Sequence, residues 1–238
     1  MSLLAATNIS MRFGGVVALR NVDVQQKSNE TLGMIGPNGS GKTTFVNIIT
    51  GHLRPTEGDI SFDGTPLLGR RPFAIAGTGL SRTYQAVRVF SGLTAHENVA
   101  IALVDAADPL DAAGVAETTE WLDLTHRLDA PAGSLTLYEQ RRLELLMRLV
   151  QRPKLLMLDE PVGGLSSVEV RAMIALLAEL KSRCTIFIIE HTMKVIRELA
   201  DRVVVLLAGE KIADGPPRDI LADKRVIENY LGSPVERI

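Results

Sequence analysis

Short apolar runs separated by amphipathic stretches organise most of the chain. Thr31–Ile35, Leu155–Leu158, Thr185–Ile189 and Val203–Leu207 read as short buried strands. Between them Thr43–Thr50, Val168–Arg183 and Met193–Ala200 carry apolar residues at helical spacing, and Gly51 stops the first of these helices. Such alternation predicts an α/β fold with a mainly parallel sheet covered on both faces. The N-terminal part differs. Leu3–Ile9 and Val16–Val24 flank Gly14-Gly15, and Gly58–Phe62 follows as another short strand, so strands joined by turns precede the alternation.

Residues 86–150 break the rhythm. Glu117–Leu128 and Gln140–Val150 both place apolar residues three and four apart, predicting a mainly helical insertion. The β/α alternation resumes after it.

Composition narrows the function classes. With 46% apolar and 23% charged residues the chain can build a core, which excludes a disordered protein. The 26 basic and 28 acidic side chains leave a net charge of −2, against the basic face that nucleic acid demands. A single cysteine rules out an internal disulfide framework and a cysteine-based zinc site, and fits a reducing compartment. No apolar run approaches the ~18–20 residues of a membrane span, and the start lacks a secretory pattern. The expectation is a cytosolic protein that reaches a membrane only through a partner.

The chemistry begins at Gly36-Pro-Asn-Gly-Ser-Gly41-Lys42-Thr43, which fits G-x-x-x-x-G-K-[ST]. Its glycines let consecutive backbone N–H groups curl around a phosphate, and the following helix adds its positive end. Lys42 can reach the β- and γ-phosphates, and the Thr43 hydroxyl is placed to coordinate Mg²⁺. Pro37, Asn38, Gly39, Ser40 and Thr44 complete the nucleotide-binding stretch.

A second apolar strand ends in Asp159-Glu160, followed by Pro161. Strand C-termini in a parallel sheet line the ligand crevice, so Asp159 can hold Mg²⁺ while Glu160 polarises the attacking water. Thr185–Ile189 ends in Glu190-His191, and His191 at that end can orient the water near the γ-phosphate. His52, His96 and His126 carry no such context.

With these elements in order, the chain resembles the ATP-binding subunit of an ABC (ATP-binding cassette) transporter over nearly its whole length. Within that superfamily it is most similar to the branched-chain amino acid uptake group. The stretches that carry this likeness are Ser81–Gln85, Gln140–Glu144, Ile189–Lys194 and 226–232. The resemblance implies a P-loop NTPase (RecA-like) fold, one domain over 1–238, with 86–150 as the inserted helical subdomain. It implies ATP and Mg²⁺, transmembrane permease subunits, a second ATPase subunit, and indirectly a substrate-binding protein. It places the chain on the cytoplasmic face of the cell membrane and implies no nucleic-acid partner. Gln85 falls at the family's Q-loop glutamine, touching Mg²⁺ and water. Phe13 falls where an aromatic ring stacks on adenine, though a core residue at a strand end is the competing reading.

The family's signature, Leu-Ser-Gly-Gly-Gln, grips the γ-phosphate held by the opposite subunit. Its equivalent here is Leu135-Thr136-Leu137-Tyr138-Glu139. Thr136 keeps a hydroxyl, Tyr138 replaces a glycine, and Glu139 replaces the glutamine. Glu139 either sets a negative charge beside a polyanion or favours the positive start of a helix. The loop Gly164-Leu165-Ser166-Ser167 also departs, lacking the family's Asp or Asn after the leucine. Either this signature is weakened and serves only a partner's nucleotide, or it works as it stands.

The resulting expectation is in-line attack of water on the γ-phosphate, with Lys42, Glu160, Gln85 and His191 as the catalytic set. A soluble ABC ATPase acting on DNA or ribosomes, a non-hydrolysing regulator, and an exporter subunit are the competing classes. Arg141-Arg142 are expected on a solvated or subunit-facing surface, Trp121 in helical core or interface, and Cys184 as a semi-buried thiol.

Overall fold

The computed structural model describes residues 2–104 and 106–230. The chain opens with β1 (Ser2–Phe13), β2 (Val16–Lys27), β3 (Thr31–Ile35), α1 (Lys42–Ile49), β4 (Glu57–Phe62), β5 (Thr65–Pro66) and α2 (Pro72–Ala76). It continues through β6 (Leu80–Arg82), α3 (Ala95–Val104), α4 (Ala112–Trp121), 3-10 turns at Thr125–Arg127 and Ala132–Ser134, α5 (Leu137–Leu149), β7 (Leu155–Asp159) and α6 (Ser167–Leu180). The rest is β8 (Thr185–Ile189), α7 (Met193–Leu199), β9 (Arg202–Leu207), β10 (Glu210–Gly215), α8 (Pro217–Ile220) and α9 (Lys224–Tyr230). Two compact units result, one built from the chain up to Thr78 and again from Thr185, the other from Gly79–Cys184.

The first unit contains an antiparallel sheet in the order β2-β1-β4-β5 and a run in which β3 lies between β8 and β9. β3 is parallel to both neighbours, and β10 closes against β9 in the antiparallel sense. Every residue of β3 and β8 is buried, as strands covered on both faces require. Phe45 of α1 stacks against Phe187 of β8 with ring centroids 6.4 Å apart. Gly33 lets α7 approach the strand, because a Cβ there would lie 3.1 Å from Ile196 Cδ1 and 3.2 Å from Ala200 Cβ.

In the second unit β6 and β7 pair in parallel. Helix α5 buries Leu143, Leu145, Leu146 and Met147, and α6 buries Met173, Ile174, Leu177 and Leu180. Asn98 on α3 is wholly buried and satisfied: its Oδ1 accepts from the Phe90 N–H, and its amide donates to the Phe90 and Thr94 carbonyls.

Two sequence expectations change. The helix read over Glu117–Leu128 is displaced: α4 begins at Ala112, where the Asp111 carboxylate caps the Gly114 N–H, and ends at Trp121. Asp123 then turns left-handed, with φ of 50°, which no continuing helix tolerates. Arg141 and Arg142 are buried rather than solvated. Arg142 donates to the Leu122 carbonyl at 2.9 Å and to Asp123, so it ties the end of α4 to α5. Of the stretch 226–232, Leu231 and Gly232 lie outside the described residues.

Candidate nucleotide site

The phosphate loop leaves β3 at Gly36 and enters α1 at Lys42. A Cβ at Gly36 would stand 2.2 Å from the Leu206 carbonyl oxygen and 2.4 Å from Ser40 Oγ. One at Gly41 would stand 2.6 Å from Leu19 Cδ2, on a backbone with φ of 104°. Glycine is therefore obligatory at both positions. The Ser40 hydroxyl is buried without a hydrogen-bond partner, an unspent polar atom inside a loop of backbone donors. The Lys42 ammonium folds back over the loop and donates to the Gly36 carbonyl at 2.7 Å and the Pro37 carbonyl at 3.1 Å. Asn38, Gly39 and Thr43 are exposed, with Thr44 half-buried behind them.

Elsewhere in the same unit, Phe13 ends β1 with its ring 45% exposed beside exposed Val16. That excludes the core reading and leaves a flat apolar ledge. His191 is exposed just beyond β8. Its placement depends on Glu190, which is wholly buried. The Glu190 carboxylate accepts the backbone N–H groups of His191 and Thr192, both at 3.1 Å, and so shapes the turn that presents the imidazole.

The second unit brings the other candidates together in pairs. Gln85 Nε2 donates to Glu160 Oε2 at 2.9 Å. Arg82 Nη2 lies 3.0 Å from Asp159 Oδ2, with both side chains nearly withdrawn from water. Two guanidinium groups lie over the Tyr84 ring, Arg82 at 4.5 Å and Arg88 at 4.0 Å from its centre. Thr83 adds to these contacts, its N–H donating to the Met157 carbonyl at 2.9 Å and its hydroxyl accepting the Asp159 N–H at 3.3 Å, so the segment 82–85 is held along the end of β7. Glu160 itself is left-handed, with φ of 49°, and its carbonyl accepts the Gly163 N–H at 3.0 Å. A non-glycine residue held there stores of the order of 1–3 kcal/mol, a cost concentrated at functional positions. Arg141 Nη2 donates to the Gly163 carbonyl at 2.6 Å and to the Gln85 carbonyl at 3.4 Å, so α5 is tethered to both segments.

The signature equivalent resolves into a helix start. Thr136 is the N-cap of α5, and its hydroxyl accepts the Glu139 N–H at 3.3 Å. The Glu139 carboxylate accepts the Thr136 N–H at 2.8 Å, completing a capping box. Arg127 reaches the same carboxylate, with Nε 2.8 Å from Oε1 and Nη2 donating to Oε2 at 3.2 Å. Burial pushes the Glu139 carboxyl up, but the Thr136 N–H and then Arg127 outweigh it and hold the group below the ordinary carboxylate range. The Tyr138 ring lies over the Arg142 guanidinium, 4.6 Å from its ring centre. Burial raises its phenol above the ordinary value, and Arg142 opposes that shift. Of the two sequence readings of Glu139, the structure selects the helix start.

Arg82, Glu190 and Arg127 escaped the sequence reading. Arg82 and Arg127 act through partners far along the chain, Asp159 and Glu139, whereas Glu190 acts on its own neighbours His191 and Thr192.

Residues 19–163 match the family described as ABC transporter, and 210–236 match branched-chain amino acid ATP-binding cassette transporter. The high-affinity branched-chain amino acid transport ATP-binding protein BraF of Pseudomonas aeruginosa is 37% identical, with 97% of this chain and 98% of that protein covered. The corresponding LivG protein of Escherichia coli is 36% identical over the same shares, 97% and 98%. A probable LivG of Archaeoglobus fulgidus is 32% identical, covering 98% and 96%. Among solved structures, the ADP conformation of an ATP-binding cassette of an ABC transporter superposes with a TM-score of 0.88 at 28% identity, covering 98% of this chain and 100% of that one. CbiO1 of Clostridium perfringens, part of the ABC transporter complex CbiONQ, gives 0.83 at 26% identity, covering 95% and 93%.

Proposed function

This chain belongs to the ABC transporter family as an ATP-binding cassette, and from that membership we propose that it powers an importer of branched-chain or other small amino-acid-like solutes. It is an ABC-type ATPase with a P-loop NTPase fold. The observation that carries the substrate class is near-full-length similarity to proteins named for branched-chain amino acid transport. Those names favour transport over action on DNA or ribosomes, as does the net charge of −2. The whole chain acts as one ABC ATPase domain, with 86–150 as its helical subdomain.

The phosphate loop fits a nucleotide. Gly36 and Gly41 leave no room for side chains, the Ser40 hydroxyl is unspent, and Lys42 already donates to two loop carbonyls that phosphate oxygens can replace. Gly36–Thr44 bind the phosphates, and Phe13 offers its exposed face to the adenine. Thr43, Asp159 and Gln85 supply oxygen donors of the kind that Mg²⁺ selects. When bound, the ion neutralises charge on the β- and γ-phosphates.

Lys42 adds a fixed positive charge at the transferring phosphoryl group. Glu160 accepts a proton from the attacking water, and Gln85, already bonded to Glu160, positions that water. His191 orients the same water from the turn that Glu190 holds. Two ATPase subunits close around two nucleotides, each completing the other's site through Thr136 and Tyr138. Permease subunits in the membrane read that closure, and a binding protein delivers the solute to them. The chain thus works at the cytoplasmic membrane face. Among its described residues no helix is long and apolar enough to cross a bilayer.

Glu160→Gln tests the assignment. It should bind ATP as wild type does, accumulate a closed dimer by ultracentrifugation, and lose about 10²-fold or more in phosphate release. Near-normal turnover would remove Glu160 as the base.

A further inference from the structure

A carboxylate in the first turn of α5 is an awkward neighbour for a phosphate. The helix start carries roughly half a positive charge, and an unpaired Glu139 would more than cancel it. The structure places a counter-charge there from the 3-10 turn Thr125–Arg127. Arg127 engages both Glu139 oxygens, while one of them also caps the Thr136 N–H. The acid therefore keeps its capping function with its charge cancelled.

We propose that Arg127 is a positioning residue for nucleotide chemistry: its pairing with Glu139 keeps the start of α5 able to receive the γ-phosphate of a nucleotide held by a second ATPase subunit. This rests on reading Leu135–Glu139 as the signature that completes the opposite site. The consequence is a directional dependence. Arg127 is needed when residue 139 is glutamate and dispensable when it is glutamine, because a neutral amide can cap the helix without repelling phosphate.

The test uses the full chain, with its ATPase partner and permease if turnover requires them. ATP turnover and ATP-driven association are measured for wild type, Arg127→Gln, Glu139→Gln and the double variant, with melting temperatures alongside. Arg127→Gln should lower turnover and association about tenfold, and the loss should shrink as salt screens the carboxylate that has lost its partner. Glu139→Gln is the reference for the neutral side chain, and the double variant should come within about twofold of it, because without the carboxylate the loss of Arg127 no longer matters. Arg127→Lys, which keeps the charge, should retain most of the activity.

A purely structural tether gives a different pattern. The double variant would then be as impaired as Arg127→Gln, with melting temperature tracking activity in both. That result, or wild-type turnover in Arg127→Gln, overturns the proposal. Should Arg127→Gln fail to fold, Arg127→Lys compared with the double variant decides between the same two patterns. A wild-type chain that neither hydrolyses ATP nor associates in its presence, and so matches Lys42→Ala, defeats the functional reading and this role with it.

Discussion

Arg82 and Asp159 meet where their side chains keep only 7% and 10% of their exposure, so neither charge has water to fall back on. Removing one partner of such a pair costs up to about 3–5 kcal/mol, because the charge left behind stays buried and has lost its ion-pair partner. Arg82→Met should therefore lose stability on that scale in urea unfolding. Arg82→Met combined with Asp159→Asn should recover much of it, and a double variant no better than the single would show that the charge is not the cause. Glu144 presents the opposite case, a buried acid with no ion pair among the described residues. Burial pushes its carboxyl up from 4.5 to about 7, against the opposing pull of Arg148 and the Arg88 N–H. The folded state thus binds the proton more tightly than the unfolded chain. Its contribution is full below pH 4.5 and is lost as the pH rises to about 7. Glu144→Gln should flatten that dependence and gain roughly 3 kcal/mol over wild type at pH 8, read from unfolding midpoints at pH 5 and pH 8.

At the scale of elements, two helices start with the same device. Ser166 caps α6 as Thr136 caps α5, with Glu169 and Glu139 returning the bond three residues on. Ser166→Ala should cost about 1 kcal/mol in denaturant unfolding, and no loss would mean that solvent replaces the cap. Both boxes are written in the sequence as Ser/Thr-x-x-Glu, and the helix-start reading of Glu139 is the one the capping box of α5 bears out. Strands β3 and β8 were legible to the residue, since a fully buried strand is a continuous apolar run between polar breaks. β10 and β6 were not. β10 is a polar edge strand, Glu210–Gly215, whose pairing to β9 is a backbone matter, and Leu80–Arg82 is too short to show any period. The phosphate loop and Asp159-Glu160 could be found because adjacent residues build them. Arg141 could not. A guanidinium that ends at the Gly163 and Gln85 carbonyls looks, in sequence, like one more charge on a helix.

The molecule as a whole makes one unit from two separated lengths of chain and the other from the single length Gly79–Cys184. Local order in sequence therefore says little about which segments share a core, and the likeness to known cassettes carries more weight than any single period. Cys184 closes the second of these lengths. It is the only cysteine in the chain and is buried. Burial alone pushes its thiol up to about 12, so almost none of it is thiolate at neutral pH. The folded protein should resist maleimide at pH 7 and react once unfolded in urea, and prompt labelling in buffer would contradict that burial. The practical consequence is a ready-made spectroscopic scaffold. A cysteine introduced on an exposed loop should take a fluorophore or spin label by itself, so that distances during ATP turnover can be followed without replacing the native residue.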